Sequence, residues 1–330
     1  MKHLFTVVMF SFLSATVLFA GEAPFGNYRG SYSTFGGMSD SLSAQVIAGA
    51  NDTYLAVITI GENPVNAPKI RMDGIKTGDK ITFEKQVDLG PDLGGSYDIK
   101  GWIEKTSMQG TFEGYEASGS FKLEKVFLKS STLGAKPPKG AVVLFDGADL
   151  DAWELKNEKK ADWKMTLDGA MEVTKGDIIS KQTFGDQQVH VEFKTPLMAD
   201  ETGQDRGNSG VYLQGKYEVQ ILDSFGLEPK DDDCGAIYEV AVPLRNACLP
   251  PGEWQTYDIT FYESRFDKNG DKLKEAVITV KHNGILIHSN VSIPGPTRAS
   301  MIKDEKLPGG LMLQDHGNPV QYRNIWILPL

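Results

Sequence analysis

Apolar and polar residues alternate with a period of two through Tyr54–Ile60, Lys80–Phe83, Tyr97–Ile103, Met108–Phe112 and Gly119–Phe127. Alternation of this kind belongs to strands with one face buried. Asp73-Gly74, Gly78-Asp79 and Gly94-Gly95 are expected to turn the chain between such strands, so residues 21–133 read as an antiparallel meander forming a small sheet or barrel. The stretch Leu133 to Gly140 holds tandem prolines between glycines and can continue neither strand nor helix, which predicts a linker at 134–140. Strand patterns resume in residues 141–330, at Val142–Phe145, Trp163–Thr166, Val189–Lys194, Gly210–Leu213, Tyr217–Leu222, Gln255–Phe261, Glu275–Val280 and Arg323–Ile327. No helical stripe interrupts them, and His282-Asn283-Gly284 is a hairpin signal. The expectation is an all-β chain whose second part is a two-sheet sandwich of jelly-roll type.

Residues 1–20 depart from this pattern. Lys2 and His3 precede an apolar run from Leu4 to Phe19 with small residues near Ala20, the layout of an export signal peptide. The expected location is therefore secreted or periplasmic, with no membrane span after cleavage. Composition narrows the class further: 40% hydrophobic and 24% charged residues exclude disorder, collagen and a multi-pass membrane protein. The 44 Asp plus Glu against 34 Lys plus Arg leave a formal charge of -10 without a segregated basic patch, which argues against nucleic acid as a partner and permits neutral sugars. Cys234 and Cys248 could close a short disulfide loop or sit as two small buried hydrophobes, and without a matching His pair a structural zinc site is disfavoured.

Phosphate-binding loops, a dinucleotide fingerprint, His-Glu-x-x-His and a Gly-x-Ser-x-Gly elbow are all missing from the sequence. Asp267-Lys-Asn-Gly-Asp271 is better read as a polar hairpin turn than as a calcium loop, because it lacks the twelve-residue ligand pattern. What stands out is polar density inside strand patterns. In Tyr217–Asp223, alternation sends Glu218 and Gln220 to one face and Tyr217, Val219 and Ile221 to the other. In Leu311–Gly317, Gln314 and His316 share a face, and Arg323 follows a short turn. His190, Glu192 and Lys194 form another same-face row, readable either as a solvated charge ladder or as part of a site. Arg206-Gly-Asn208-Ser-Gly leads into a strand through small residues that allow a ligand close to the backbone, and Tyr238 and Trp254 could stack on a sugar ring.

Asn208–Tyr212, Tyr217–Asp223, Gly235–Tyr238, Gly252–Tyr257, Asn283-Gly284, Leu313–Gly317 and Tyr322–Ile327, in that order from about Val142 to Leu330, resemble the 3-keto-disaccharide hydrolase family. Residues 21–133 are not covered by the resemblance, and Met312 and the insertion-like Phe266 to Lys274 depart from the family pattern. The resemblance implies a concanavalin-like lectin/glucanase jelly roll and cleavage of glycosides whose C3 hydroxyl has been oxidised to a ketone. Such a ketone acidifies the C2 proton, so a base, an acid at the leaving oxygen and a donor or cation at the enolate oxygen would complete an elimination followed by hydration. The groups expected in these roles are Glu218 and His316 as base and acid in either order, and Arg323 or Arg206 at the enolate. Asn208, Gln220 and Gln314 would orient hydroxyls, with Tyr238, Glu192 and Lys194 as further substrate contacts. Asp223 and Asp315 would orient His316 or hold a divalent cation; no other cofactor is implied. An upstream glycoside 3-oxidoreductase would supply the keto sugar. The competing readings are a carbohydrate-binding module without catalysis, and a conventional glycosidase pairing Glu218 with Asp223 or Glu192.

Overall fold

The computed structural model describes residues 23–61, 67–156 and 159–330; the expected signal peptide lies outside the described residues. Eight strands come first: β1 (Gly26–Thr34), β2 (Ser39–Ala48), β3 (Thr53–Ile60), β4 (Lys69–Thr77), β5 (Lys80–Asp88), β6 (Ser96–Glu104), β7 (Ser107–Gly114) and β8 (Ser118–Val126). They pair antiparallel in sequence order, and β1 pairs with β8 to close a barrel, which leaves no free sheet edge. Tyr28, Met72, Phe83, Met108 and Leu123 fill its interior. Asp73-Gly74 is not a turn: it lies within β4, where a Cβ on Gly74 would meet the Phe83 ring at 2.3 Å. Here the glycine makes room for an aromatic ring on the neighbouring strand. The expected turn at Gly78-Asp79 does form, with Gly78 at φ 62.

From Val142 the chain builds a sandwich. One sheet runs in the order β10 (Trp153–Leu155), β13 (Ile178–Ser180), β22 (Met312–Leu313), β15 (Ser209–Leu213), β16 (Tyr217–Ile221). The larger sheet runs β11 (Lys164–Met165), β12 (Met171–Glu172), β23 (Gln321–Pro329), β14 (Gln187–Lys194), β17 (Gln255–Tyr262), β20 (Ala276–His282), β21 (Ile285–Ile293), with β9 (Val142–Phe145) also on β23. The short hairpin β18 (Arg265–Phe266) and β19 (Lys272–Lys274) carries Asp267–Asp271 as a polar turn, Asp267 accepting from the backbone N–H of Asn269 and Asp271. Val191, Phe193, Val219, Ile221, Tyr257, Ile259 and Tyr322 meet between the sheets. The described residues contain no α-helix, so the all-β expectation holds.

The linker crosses the outer face of the larger sheet and is latched there. Glu192 is buried and accepts from the Gly134 N–H (2.6 Å), Arg323 Nε (2.7 Å) and Asn324 Nδ2 (2.8 Å). Thr132 Oγ1 donates to Asp258 at 2.6 Å, and the same carboxylate meets His190 Nδ1 at 2.7 Å. Arg323 and Lys194 lie over the Trp254 ring at 4.0 and 4.7 Å. Of the residues expected at a site, Glu192 and Arg323 are thus tied into the seam under the linker, while Lys194 packs with Arg323 on the Trp254 ring.

Burial raises the Glu192 pKa, but its hydrogen bonds to His190, Asn324 and Arg323 outweigh that and bring it from 4.5 down to about 2. A depressed carboxylate stabilises the fold above its unfolded pKa and loses that contribution as pH falls through the folded value. Stability from this group should thus be complete above about pH 4.5 and lost on the way to about pH 2. Glu192→Ala, which takes the acceptor from the Gly134 N–H and Arg323 Nε, is expected to cost about 1–3 kcal/mol at neutral pH and to flatten that acid limb, as read by urea denaturation across the pH range.

A polar cavity on the five-stranded sheet

The outer face of the five-stranded sheet is polar and covered. Because β16 commits Tyr217, Val219 and Ile221 to the core, Glu218 and Gln220 project outward. Tyr212 of β15 joins them, and the segment after β22 adds Gln314 and His316. A cavity of about 360 Å³ opens above this floor, with Gln204, Asn208, Tyr238 and Arg298 in its walls.

Glu218 is the carboxylate in the lining, and it is 2% exposed. Burial pushes its pKa from 4.5 up to about 8; a hydrogen bond with Tyr212 pulls the other way without prevailing, and the charges of Asp177 and Glu239 add to the rise. The carboxyl is therefore largely protonated at neutral pH. Gly210 makes its position possible, since a Cβ there would stand 2.5 Å from Glu218 Oε1 and 2.8 Å from the Tyr212 ring. The backbone N–H of Glu218 donates to Thr297 Oγ1 at 3.1 Å.

Three amides are oriented by their NH₂ ends. Asn208 Nδ2 donates to the Gln204 carbonyl (2.7 Å) and side-chain oxygen (3.0 Å), Gln220 Nε2 to Gln204 Oε1 (2.9 Å) and the Asp232 carbonyl (3.3 Å), and Gln314 Nε2 to the Tyr212 hydroxyl (3.0 Å). A backbone carbonyl can only accept, which settles which end of Asn208 and Gln220 is the amide nitrogen. Asn208 Oδ1, Gln220 Oε1 and Gln314 Oε1 are left buried without partners. Three residues that line one cavity thus each hold an acceptor to which the described residues bring no donor.

Arg206 and Asp223 are held elsewhere. They form a buried ion pair at 2.7 Å, reinforced by the Asp223 N–H to the Arg206 carbonyl (3.1 Å), and this pair fixes the loop that carries Gln204 and Asn208. Asp315 accepts from the N–H of Gly176 (2.6 Å) and of Gly317 (2.8 Å). The two aspartates thus serve different partners and do not form the expected cation site, nor do Arg206 and Asp223 line the cavity. Among the described residues, the donor atoms that cluster within 4.8 Å are those of Cys234, Cys248 and His282, deep in the sandwich, where Cys234 Sγ lies 3.2 Å from the Tyr257 hydroxyl. Both thiols are free, and one histidine, not a pair, stands beside them.

Of the residues expected at the site, Glu218, His316, Asn208, Gln220, Tyr238 and Gln314 are brought together. The sequence reading missed Gln204, Tyr212 and Arg298. Tyr212 shares alternation with Gly210 and was within reach of pattern analysis; Arg298, in Pro294-Gly-Pro-Thr-Arg298, carries no local signal.

The 3-keto-alpha-glucoside-1,2-lyase-like domain family matches residues 140–328. A crystal structure at 2.13 Å of a protein from Parabacteroides distasonis ATCC 8503, proposed to be a glycosyl hydrolase, is 40% identical over 58% of this chain and 85% of that one, with a TM-score of 0.54. A second protein from the same organism with the same description, at 1.70 Å, is 21% identical over 58% of this chain and 94% of that one, with a TM-score of 0.43. No curated protein matches the chain.

A carboxyl whose folded pKa lies above its unfolded value stays protonated in the native state while the unfolded state ionises, so stability falls with rising pH between about 4.5 and about 8 and levels off above. Glu218→Gln is expected to remove that fall from the Tm-versus-pH curve. Gly210→Ala, which drives a methyl group into the carboxyl and the Tyr212 ring, should lower Tm by several degrees, measurable by scanning calorimetry.

Proposed function

This chain belongs to the 3-keto-alpha-glucoside-1,2-lyase-like family and is a carbohydrate-active enzyme of glycoside-hydrolase type; on that premise we propose that its substrates are 3-keto-glycosides, cleaved by proton abstraction at C2, elimination and hydration. The observation that carries the reading is the buried Glu218, whose pKa burial raises to about 8, set among three residues with partnerless amide oxygens. A sugar hydroxyl donates to each orphan oxygen, and the neutral carboxyl holds the proton a departing glycosidic oxygen needs.

The electron flow uses the ketone as its sink. A base, assigned to His316 on the exposed rim, takes the C2 proton, and the C–H electron pair enters the C2–C3 enolate. The enolate re-forms its carbonyl, C1=C2 forms, the C1–O bond breaks, and the leaving oxygen takes the proton from Glu218. Water adding across C1=C2 then yields the free 3-keto sugar. Arg298, ion-paired with Glu239 at 2.9 Å, supplies positive charge at the cavity wall for the enolate oxygen, the part first expected of Arg323 or Arg206. The carboxylates considered as partners for Glu218 in a conventional double-carboxylate mechanism, Asp223 and Glu192, are bound to Arg206 and to the linker seam respectively. On this reading residues 1–20 export the protein, which acts after a glycoside 3-oxidoreductase has made the ketone.

The test is product analysis with a 3-keto-glucoside beside its unoxidised parent. Release of 3-keto-glucose or its enone from the oxidised substrate alone is expected; equal cleavage of the parent would overturn the proposal. Glu218→Gln should lower kcat about 10²–10⁴-fold. For the wild type, kcat/KM should fall as pH rises through about 8, because the acid is then ionised.

A further inference from the structure

The barrel is packed unevenly along its axis. At the end where the chain leaves β8 for the linker, Tyr28, Val46, Ala56, Met72, Met108 and Leu123 are buried and fill the interior. At the other end, reached by the β1–β2, β5–β6 and β7–β8 connections, the interior opens into a cavity of about 340 Å³. Its wall is apolar, built from Leu42, Ile58, Ile70, Ile99, Phe112 and Phe121 among others. Tyr32 and Tyr97 set their rings edge-on to Phe112, at centroid distances of 5.8 and 6.0 Å, and so hold the wall open instead of collapsing into it.

Around this mouth the connecting loops display large apolar side chains to solvent: Phe35 is 83% exposed, Met38 67% and Tyr115 100%. Burying them would be favourable, and among the described residues none covers them. Among the described residues the lining carries the carboxylates Asp92 and Glu116 and no Lys, Arg or His. A closed eight-stranded barrel has an interior just wide enough to hold one small ligand, and a cavity of 340 Å³ lies within the range of small-molecule sites.

We propose that the open end of the barrel is a binding site for a small apolar molecule, a fused-ring or short-chain compound that is neutral or carries an amine. The apolar wall takes the hydrophobic body, and the exposed Phe35, Met38 and Tyr115 close over whatever protrudes. The acidic rim favours an amine or neutral head and repels a carboxylate. The site is separate from the sandwich cavity, so its occupancy does not depend on the glycosidic chemistry proposed there.

The experiment titrates the full-length mature protein with the neutral probe N-phenyl-1-naphthylamine and follows its fluorescence. One probe per chain, displaced by dodecylamine or dodecanol but at least about tenfold less well by dodecanoate, is expected. Ala117→Trp, which fills the mouth, and Ile60→Glu, which charges its wall, should each weaken the probe at least about tenfold, with circular dichroism and cleavage of the 3-keto-glucoside as in the wild type. Probe binding unchanged in both folded variants, displacement by the keto-glycoside, tighter binding of dodecanoate, or sedimentation with phosphatidylcholine vesicles without one-to-one probe binding would each overturn the assignment.

Discussion

A single carboxyl group kept out of water on the outside of a sheet is the constraint around which the polar face of the smaller sheet is built. Glu218 stays there because alternate residues of its strand are anchored in the core, so the strand cannot slip by one residue without exposing Tyr217, Val219 and Ile221. Gly210 leaves the volume the carboxyl occupies, and Tyr212 meets it with a hydroxyl. Desolvation then raises its pKa to about 8, so that it is no longer a permanent anion near neutral pH.

The two outer faces of the sandwich make an instructive pair, since both are buried and both are polar. On the larger sheet the covering segment is the protein's own linker, and Glu192 finds a donor for each of its oxygens. On the smaller sheet none of the described residues supplies a donor to the amide oxygens of Asn208, Gln220 and Gln314. Leaving a buried acceptor without a partner costs about 1–3 kcal/mol each. What sets the smaller sheet apart is that its three unpartnered acceptors belong to residues lining one cavity, whereas on the larger sheet the linker supplies donors to the central carboxylate. Charge alone does not make this distinction, because the seam under the linker holds more ionised groups than the cavity does.

Much of the architecture was legible in the alternation of the chain, which marked β3, β5 to β8 and most of the longer sandwich strands. The strands that escaped are informative. β1 is rich in Gly and Ser and β2 opens on Ser-Asp-Ser, and both bury their inner face only once the barrel closes, while the Asp73-Gly74 dipeptide looks like a turn because its aromatic neighbour, Phe83, is nine residues away from Gly74. Glu218, Gln220, Gln314 and His316 were legible as polar residues inside strand patterns, Asn208 as part of a small-residue entry to a strand and Tyr238 as an aromatic able to stack on a sugar. Arg206, Asp223, Glu192 and Arg323 stood out beside them and proved to satisfy one another, a matter of pairing across 17 to 131 positions that periodicity does not carry. Arg298 is the converse case: its loop has no pattern, and only the approach of that loop to β16 makes it part of the cavity.

The sequence by itself determined which residues face which side of each strand, because a period of two is a property of the backbone and needs no partner. It therefore determined the all-β class, the division at the prolines and the polar stripe on β16. Which polar face would be covered by the chain and which left open was decided only by the tertiary structure. So was the half-filled interior of the barrel. Both depend on how distant segments pack, and an unpartnered atom or an empty volume exists only once every neighbour has been placed.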